Sequence, residues 1–281
     1  MLIRTLKIGL AIAATGYLLT CLGLWLYQTR MIFFPHADIS STPASVGIPY
    51  KDVWLAAGNG QVHGWWIDNR STLDEQIPVV LFFHGNGSTL GDSVSRIQQF
   101  SDWGYSTLAI DYRGYGRSSG PFPNEQRVYE DAEAAWRYLV EQQQIPAEKI
   151  AVYGHSIGGA IAINLVADYP NAAALMVEGS FTSMRDMVTY AKSLPLIPVD
   201  QLLSQKFESL EKVKSLKVPA LYIHGTADDV IPAAMSDRLY QATPGDKSYL
   251  LIEGAGHSGL PGVDSDRYTS TVRGFIETYA R

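Results

Sequence analysis

The sequence predicts an α/β protein: a mostly parallel, twisted sheet with helices on both faces, preceded by one transmembrane helix. Three observations predict it. Six apolar runs each end in a Gly-rich turn, as strands buried on both faces of a parallel sheet do. Helical patterns lie between them, and an uncharged stretch of twenty residues stands near the N-terminus. Of the 281 residues, 46% are hydrophobic and 18% charged, which suits a large buried core and excludes a disordered chain.

Ile8–Tyr27 carries no formal charge, and at ~1.5 Å per residue it spans the ~30 Å hydrocarbon core. Arg4 and Lys7 precede it and Arg30 follows. This balance places the N-terminus in the cytoplasm and the body across a single-pass membrane anchor. Residues 1–30 are read as the anchor and 31–281 as the folded body. A cleaved signal would have a shorter apolar region, ~7–15 residues, and a small-residue site, which is missing. Leu18-Leu19-Thr20-Cys21 is a poor lipoprotein box, because Thr precedes the cysteine and the apolar run continues past it. Cys21 is the single cysteine, so the body has no disulfide, thiolate metal site or cysteine nucleophile. Three of the 22 basic residues lie in the first thirty, leaving 19 against all 28 acidic ones. Such a body gives nucleic acid no electrostatic footprint.

Lys51–Ala57 and Gln61–Asp68 flank Gly58-Asn59-Gly60 and read as a hairpin. The parallel strands follow as Val79–Phe83, Ser106–Ile110, Ile150–Tyr153, Ala174–Val177, Ala220–Ile223 and Tyr249–Ile252. Glu125–Gln143 has Val128, Ala132, Ala135, Trp136 and Leu139 at helical spacing. Shorter helices are expected after Gly159 and after Pro232, and Asp264–Tyr279 closes the chain. Residues 179–216 exceed what one crossover needs. Their apolar residues, among them Phe181, Met184, Met187, Leu194, Leu196, Leu203 and Phe207, suit either extra crossover helices or a lid over an apolar pocket.

Gly154-His155-Ser156-Ile157-Gly158 follows a buried strand and opens a helix, the context of a nucleophile elbow. Serine is a weak nucleophile and requires a base, itself oriented by a third group. His257, in the flexible loop after the last strand, fits as the base. Asp228, a few residues beyond the strand ending at Ile223, fits as the orienting acid, with Asp229 and Glu178 as the competing carboxylates. The oxyanion of an acyl-transfer intermediate needs backbone donors, for which the N–H groups of Ile157 and Asn86 are expected. His84 is read as an organiser of the Asn86 loop. No H-E-x-x-H or comparable ligand cluster occurs, so no metal is expected.

Phe83-His84-Gly85-Asn86-Gly87, Asp111-Tyr112-Arg113-Gly114-Tyr115-Gly116-Arg117-Ser118, the Ser156 elbow, His224-Gly225-Thr226-Ala227-Asp228 and Gly256-His257 together resemble the α/β-hydrolase superfamily. With Met31-Ile32-Phe33-Phe34-Pro35 after the anchor, the sequence looks most like its small, N-terminally anchored domain-containing branch. The chain order Ser156, Asp228, His257 is the order of that superfamily. The resemblance implies a cofactor-free serine hydrolase of acyl esters or thioesters, with a lipid or lipidated protein as possible substrate. A serine peptidase or amidase, or a catalytically idle, membrane-tethered binding protein of the same fold, are the alternatives.

Overall fold

A computed structural model of the chain describes residues 2–70, 77–191 and 196–280. Helix α1 (Leu2–Ile32) leads into strands β1 (Lys51–Ala57), β2 (Gly60–Ile67) and β3 (Val79–Phe83). Helix α2 (Val94–Asp102), β4 (Ser106–Ile110), α3 (Glu125–Arg137), β5 (Ile150–His155), α4 (Ile157–Asp168) and β6 (Ala174–Glu178) follow. Three short helices come next, α5 (Met184–Tyr190), α6 (Val199–Leu202) and α7 (Ser209–Val213). Then come β7 (Ala220–Gly225), α8 (Ala233–Ala242), β8 (Lys247–Ile252), α9 (Leu260–Val263) and α10 (Ser265–Tyr279).

The strands form one sheet in the order β1-β2-β4-β3-β5-β6-β7-β8. β1 and β2 pair antiparallel, as does β2 with β4, and every later pairing is parallel. Side chains alternate across each strand. Val79, Leu81 and Phe83 face the core under α3, α4, α7 and α8, whereas Val80 and Phe82 face the core under α2 and α10. Burial on both faces explains why the central strands read as unbroken apolar runs.

The expected strands are all present, and the mostly parallel sheet between helical layers is as expected. Three strands, β5, β6 and β7, run one or two residues further than expected and carry the chain to the site. The helix expected over Glu125–Gln143 is regular only to Arg137, and its last turn widens, with Gln143 N–H donating to Tyr138 O at 2.9 Å. Helix α2 had no counterpart in the sequence reading. It buries Val94, Ile97 and Phe100, and a Thr89/Asp92 capping box precedes it.

Helix α1 has the length and apolarity to cross a membrane, properties a signal segment shares. It continues to Ile32, past the expected end of the span. Phe33 then enters the body's core beside Phe207, at 6.2 Å between ring centres; that burial contributes roughly 1.5–3 kcal/mol. The described part of 179–216 is not uniform. Phe181, Phe207 and α7 pack on the sheet face, while Tyr190 and Leu196 project outward, 47% and 84% exposed. Leu194 lies outside the described residues.

Candidate active site

The turn from β5 into α4 puts Ser156 at φ 57°, ψ −121°, a strained conformation for a residue with a side chain, costing about 1–3 kcal/mol. The surroundings hold it there. Ser156 N–H donates to Glu178 O at 2.8 Å, and Ser156 O accepts from Gly159 N–H at 3.0 Å and from Ser180 Oγ at 2.8 Å. The flanking glycines are demanded by close approach. A Cβ on Gly154 would lie 2.1 Å from Gly158 O, and one on Gly158 would lie 2.3 Å from Phe83 O.

His257 reaches Ser156 from the loop after β8. Its Nε2 is 3.1 Å from Ser156 Oγ, and its Nδ1 is 2.8 Å from Asp228 Oδ2. A carboxylate only accepts, so Nδ1 carries the proton and Nε2 offers its lone pair to the Ser156 hydroxyl. Asp228 sits in the turn after β7, its side chain 1% exposed. Four donors converge on it: Val230 and Ile231 N–H on Oδ1 at 2.9 and 2.8 Å, and His257 Nδ1 and His224 Nε2 on Oδ2 at 2.8 and 3.0 Å. Burial alone would raise its pKa. The hydrogen bonds from His224, His257 and Ile231 outweigh it and hold the carboxyl well below the usual carboxylate range.

Of the competing carboxylates, Asp229 is exposed. Glu178 is buried and directed to the α2 and α10 side of the sheet, paired with Arg96 at 2.7 Å and accepting from Tyr153 OH and from Tyr268 OH, the latter at 2.7 Å. Burial opposes its ionisation, and the Arg96 charge overcomes this to keep its pKa below the ordinary 4.5. Glu178→Gln should therefore strand a buried guanidinium and cost about 3–5 kcal/mol, on the order of 10 °C in Tm, with kcat of the folded enzyme little changed. A lowered folded-state pKa means that the stabilisation is present above the unfolded value and is lost as pH falls through the folded one. The difference in Tm between wild type and variant should close in acid, which thermal melts at stepped pH will measure.

Of the expected oxyanion residues, Ile157 follows Ser156 directly and Asn86 stands in the loop after β3. Ile157 opens α4, where the first N–H groups have no intrahelical partner. Gly85, next to Asn86, passes so close that a Cβ there would lie 2.8 Å from His155 Nδ1 and 3.3 Å from Ser156 Cβ. The Asn86 side chain is fully engaged: Oδ1 accepts from Phe34 N–H at 3.1 Å and Tyr115 OH at 2.7 Å, and Nδ2 donates to Ile32 O. His84 does sit in this loop, its Nδ1 donating to Gly85 O at 2.8 Å, with Tyr112 OH donating to His84 O at 2.9 Å.

Two supporting histidines escaped the sequence reading as individual site residues. His224 Nε2 faces Ile231 O at 2.9 Å as well as Asp228, so it is a donor, and Ser236 Oγ meets its Nδ1 at 2.7 Å. His155 Nε2 donates to His257 O at 3.0 Å and steadies that loop; burial keeps its pKa below that of a free imidazole. Both stand inside motifs already singled out, His-Gly-x-x-Asp and Gly-His-Ser, which was the available signal. No group of three or more His, Cys, Asp or Glu side chains placed to hold a metal occurs among the described residues.

A family model described as serine aminopeptidase, S33, matches residues 74–211. An uncharacterized protein of Mycobacterium tuberculosis is 32% identical over 95% of this chain and 92% of its own length. The protein bem46 of Schizosaccharomyces pombe is 29% identical over 78% of this chain and 76% of its own. Among solved structures, the Pyrococcus furiosus esterase Pf2001 superposes with a TM-score of 0.72 at 22% identity, covering 88% of this chain and 99% of that one. The family model and a sheet of this order, with a serine turned out at the end of β5, agree on one assignment: the chain contains a domain of the α/β-hydrolase superfamily, whose activity at the level of the family is hydrolysis of the serine type.

Proposed function

We propose that the protein hydrolyses acyl esters or thioesters through an acyl-enzyme on Ser156. The observation that carries this reading is the unbroken hydrogen-bonded chain from Asp228 through His257 to Ser156 Oγ. His257 Nε2 takes the hydroxyl proton as Oγ attacks the acyl carbon. Asp228 holds the ring and stabilises the imidazolium. The N–H groups of Ile157 and Asn86 receive the oxyanion. His257 then gives the proton to the leaving alcohol or thiol. Water, activated by the same imidazole, releases the acid and restores the serine, so no cofactor is needed.

In this reading Ile8–Tyr27 anchors the protein in a membrane, with the N-terminus cytoplasmic and the body on the opposite side, and residues 179–216 cover the acyl group as a lid. The family model's description favours a second reading, a peptidase acting on amides. Acyl esters rank first because residues of α5 and α6 and helix α1 line an apolar cavity, whereas a peptide's termini need charged partners.

A fluorophosphonate probe tests the reading: Oγ displaces fluoride, and digestion should recover the adduct on the peptide holding Ser156. Absence of the adduct from folded protein would leave a binding protein of this fold as the answer. Esters and thioesters turned over far faster than aminoacyl anilides would separate the two enzymatic readings.

A further inference from the structure

An apolar cavity of about 320 Å³ lies between α1 and the segment that carries α5 and α6, within the range of ~300–1,000 Å³ found for ligand pockets. Leu24, Gln28 and Ile32 form one wall, and Met187, Val199 and Leu203 belong to the other. Gln28 is the one polar residue among the described lining, and its amide is spent on backbone. Nε2 donates to Trp25 O at 2.9 Å and Leu202 O at 3.2 Å, and Oε1 accepts from the N–H groups of Ser204 and Gln205. The cavity thus presents hydrocarbon to whatever fills it.

Both walls run directly into the catalytic loops. Ile32 O accepts from Asn86 Nδ2. On the other side Met184 follows Gly179, where a Cβ would lie 3.5 Å from His257 Cε1, and Ser180, bonded to Ser156 O. The contact also extends along α1. Tyr17 OH donates to Leu196 O at 3.0 Å, about 16 Å along the helix from Gln28. With Ile8–Tyr27 in a bilayer, Leu196 and the outward side of this segment lie at hydrocarbon depth.

We propose that this cavity is the acyl-chain site, that the membrane helix itself is one of its walls, and that the chain enters laterally from the leaflet. The inference rests on the serine-hydrolase reading above and narrows the substrate to a long-chain acyl ester or thioester whose chain is embedded in the membrane. Leu24 and Leu203 are then specificity-determining residues.

The test uses the full-length chain in phosphatidylcholine nanodiscs with p-nitrophenyl acetate and p-nitrophenyl palmitate. Leu24→Trp and Leu203→Trp fill the cavity from opposite walls. Each should lower kcat/KM for palmitate about tenfold or more and leave acetate within about twofold, a split that misfolding does not produce. In parallel, a C16 alkyl fluorophosphonate with a terminal diazirine should attach to Ser156 and cross-link to α1 between Leu24 and Ile32 or to the facing segment. Adducts at Ser156 with cross-links elsewhere, or an unchanged chain-length profile in both variants, would overturn the cavity assignment while sparing the hydrolase. No adduct at Ser156 would overturn the reading on which it rests. A monoacylglycerol and an S-palmitoyl peptide in the same discs identify the head group, and turnover of either supports entry from the leaflet. Cleavage of the p-nitrophenyl esters alone would overturn it.

Discussion

Ser156→Ala should abolish fluorophosphonate labelling and lower kcat by on the order of 10⁵–10⁶, with the melting temperature nearly unchanged. The magnitude follows from how completely the site is organised around one oxygen. His257 Nε2 has Ser156 Oγ as its partner at 3.1 Å, so removal of that oxygen leaves the base nothing to activate and no atom to hold the acyl group. The fold is spared because the strain belongs to the backbone. The φ of 57° is imposed by bonds to Ser156 N–H and O, and alanine inherits them all. Residual turnover within tenfold of wild type, measured on purified variant protein, would remove Ser156 from the mechanism.

Asp228→Asn is expected to lower kcat by on the order of 10²–10⁴, whereas Asp229→Asn should stay within a few-fold because that side chain is exposed. The carboxylate is surrounded by four N–H donors, two on each oxygen. An asparagine keeps one oxygen and replaces the other with NH₂, so a donor must face donors on one side or the other. Turned toward the ring, the NH₂ drives His257 to its other tautomer, and Nε2 no longer accepts from serine. Turned toward Val230 and Ile231, it breaks the turn that carries residue 228. Labelling of Ser156 should slow without disappearing, since the nucleophile remains. A severe kinetic loss in Glu178→Gln with a mild one in Asp228→Asn would move the acid to β6.

The central sheet was legible because it is buried on both faces. Apolar residues fill Val79–Phe83 and Ile150–Tyr153 in that environment, and glycine closes each run where the chain must turn. The placement of Ser156, Asp228 and His257 followed from the same rule, since the C-terminal ends of parallel strands converge. Helix α2 was missed although Val94, Ile97 and Phe100 share one face, because its polar residues dilute the stripe and its cap lies upstream in the Thr89–Asp92 turn. The roles of His155 and His224 depend on which carbonyls the fold brings opposite their rings, and no local pattern encodes that. The docking of α1 was invisible for a different reason: an apolar helix carries no mark of which side faces lipid and which faces protein, and Gln28 reads as a flanking polar residue until the backbone of Leu202 and Ser204 is placed beside it.

The junction between α1 and the body contains no slack. The helix ends at Ile32, whose carbonyl is already bonded to Asn86, and Phe33 is already in the core. A protein tied to a membrane by a flexible stalk sweeps a hemisphere and reaches neighbouring surfaces; one welded to its helix does not. With α1 in a bilayer, the mouth of the site is held at a set height and tilt. Bonds in the same membrane would then come within reach by lateral diffusion, and those on an opposing membrane would stay out of it. Lengthening the junction with a few Gly-Ser residues would trade this restricted geometry for reach, at the expense of the contact between Ile32 and Asn86.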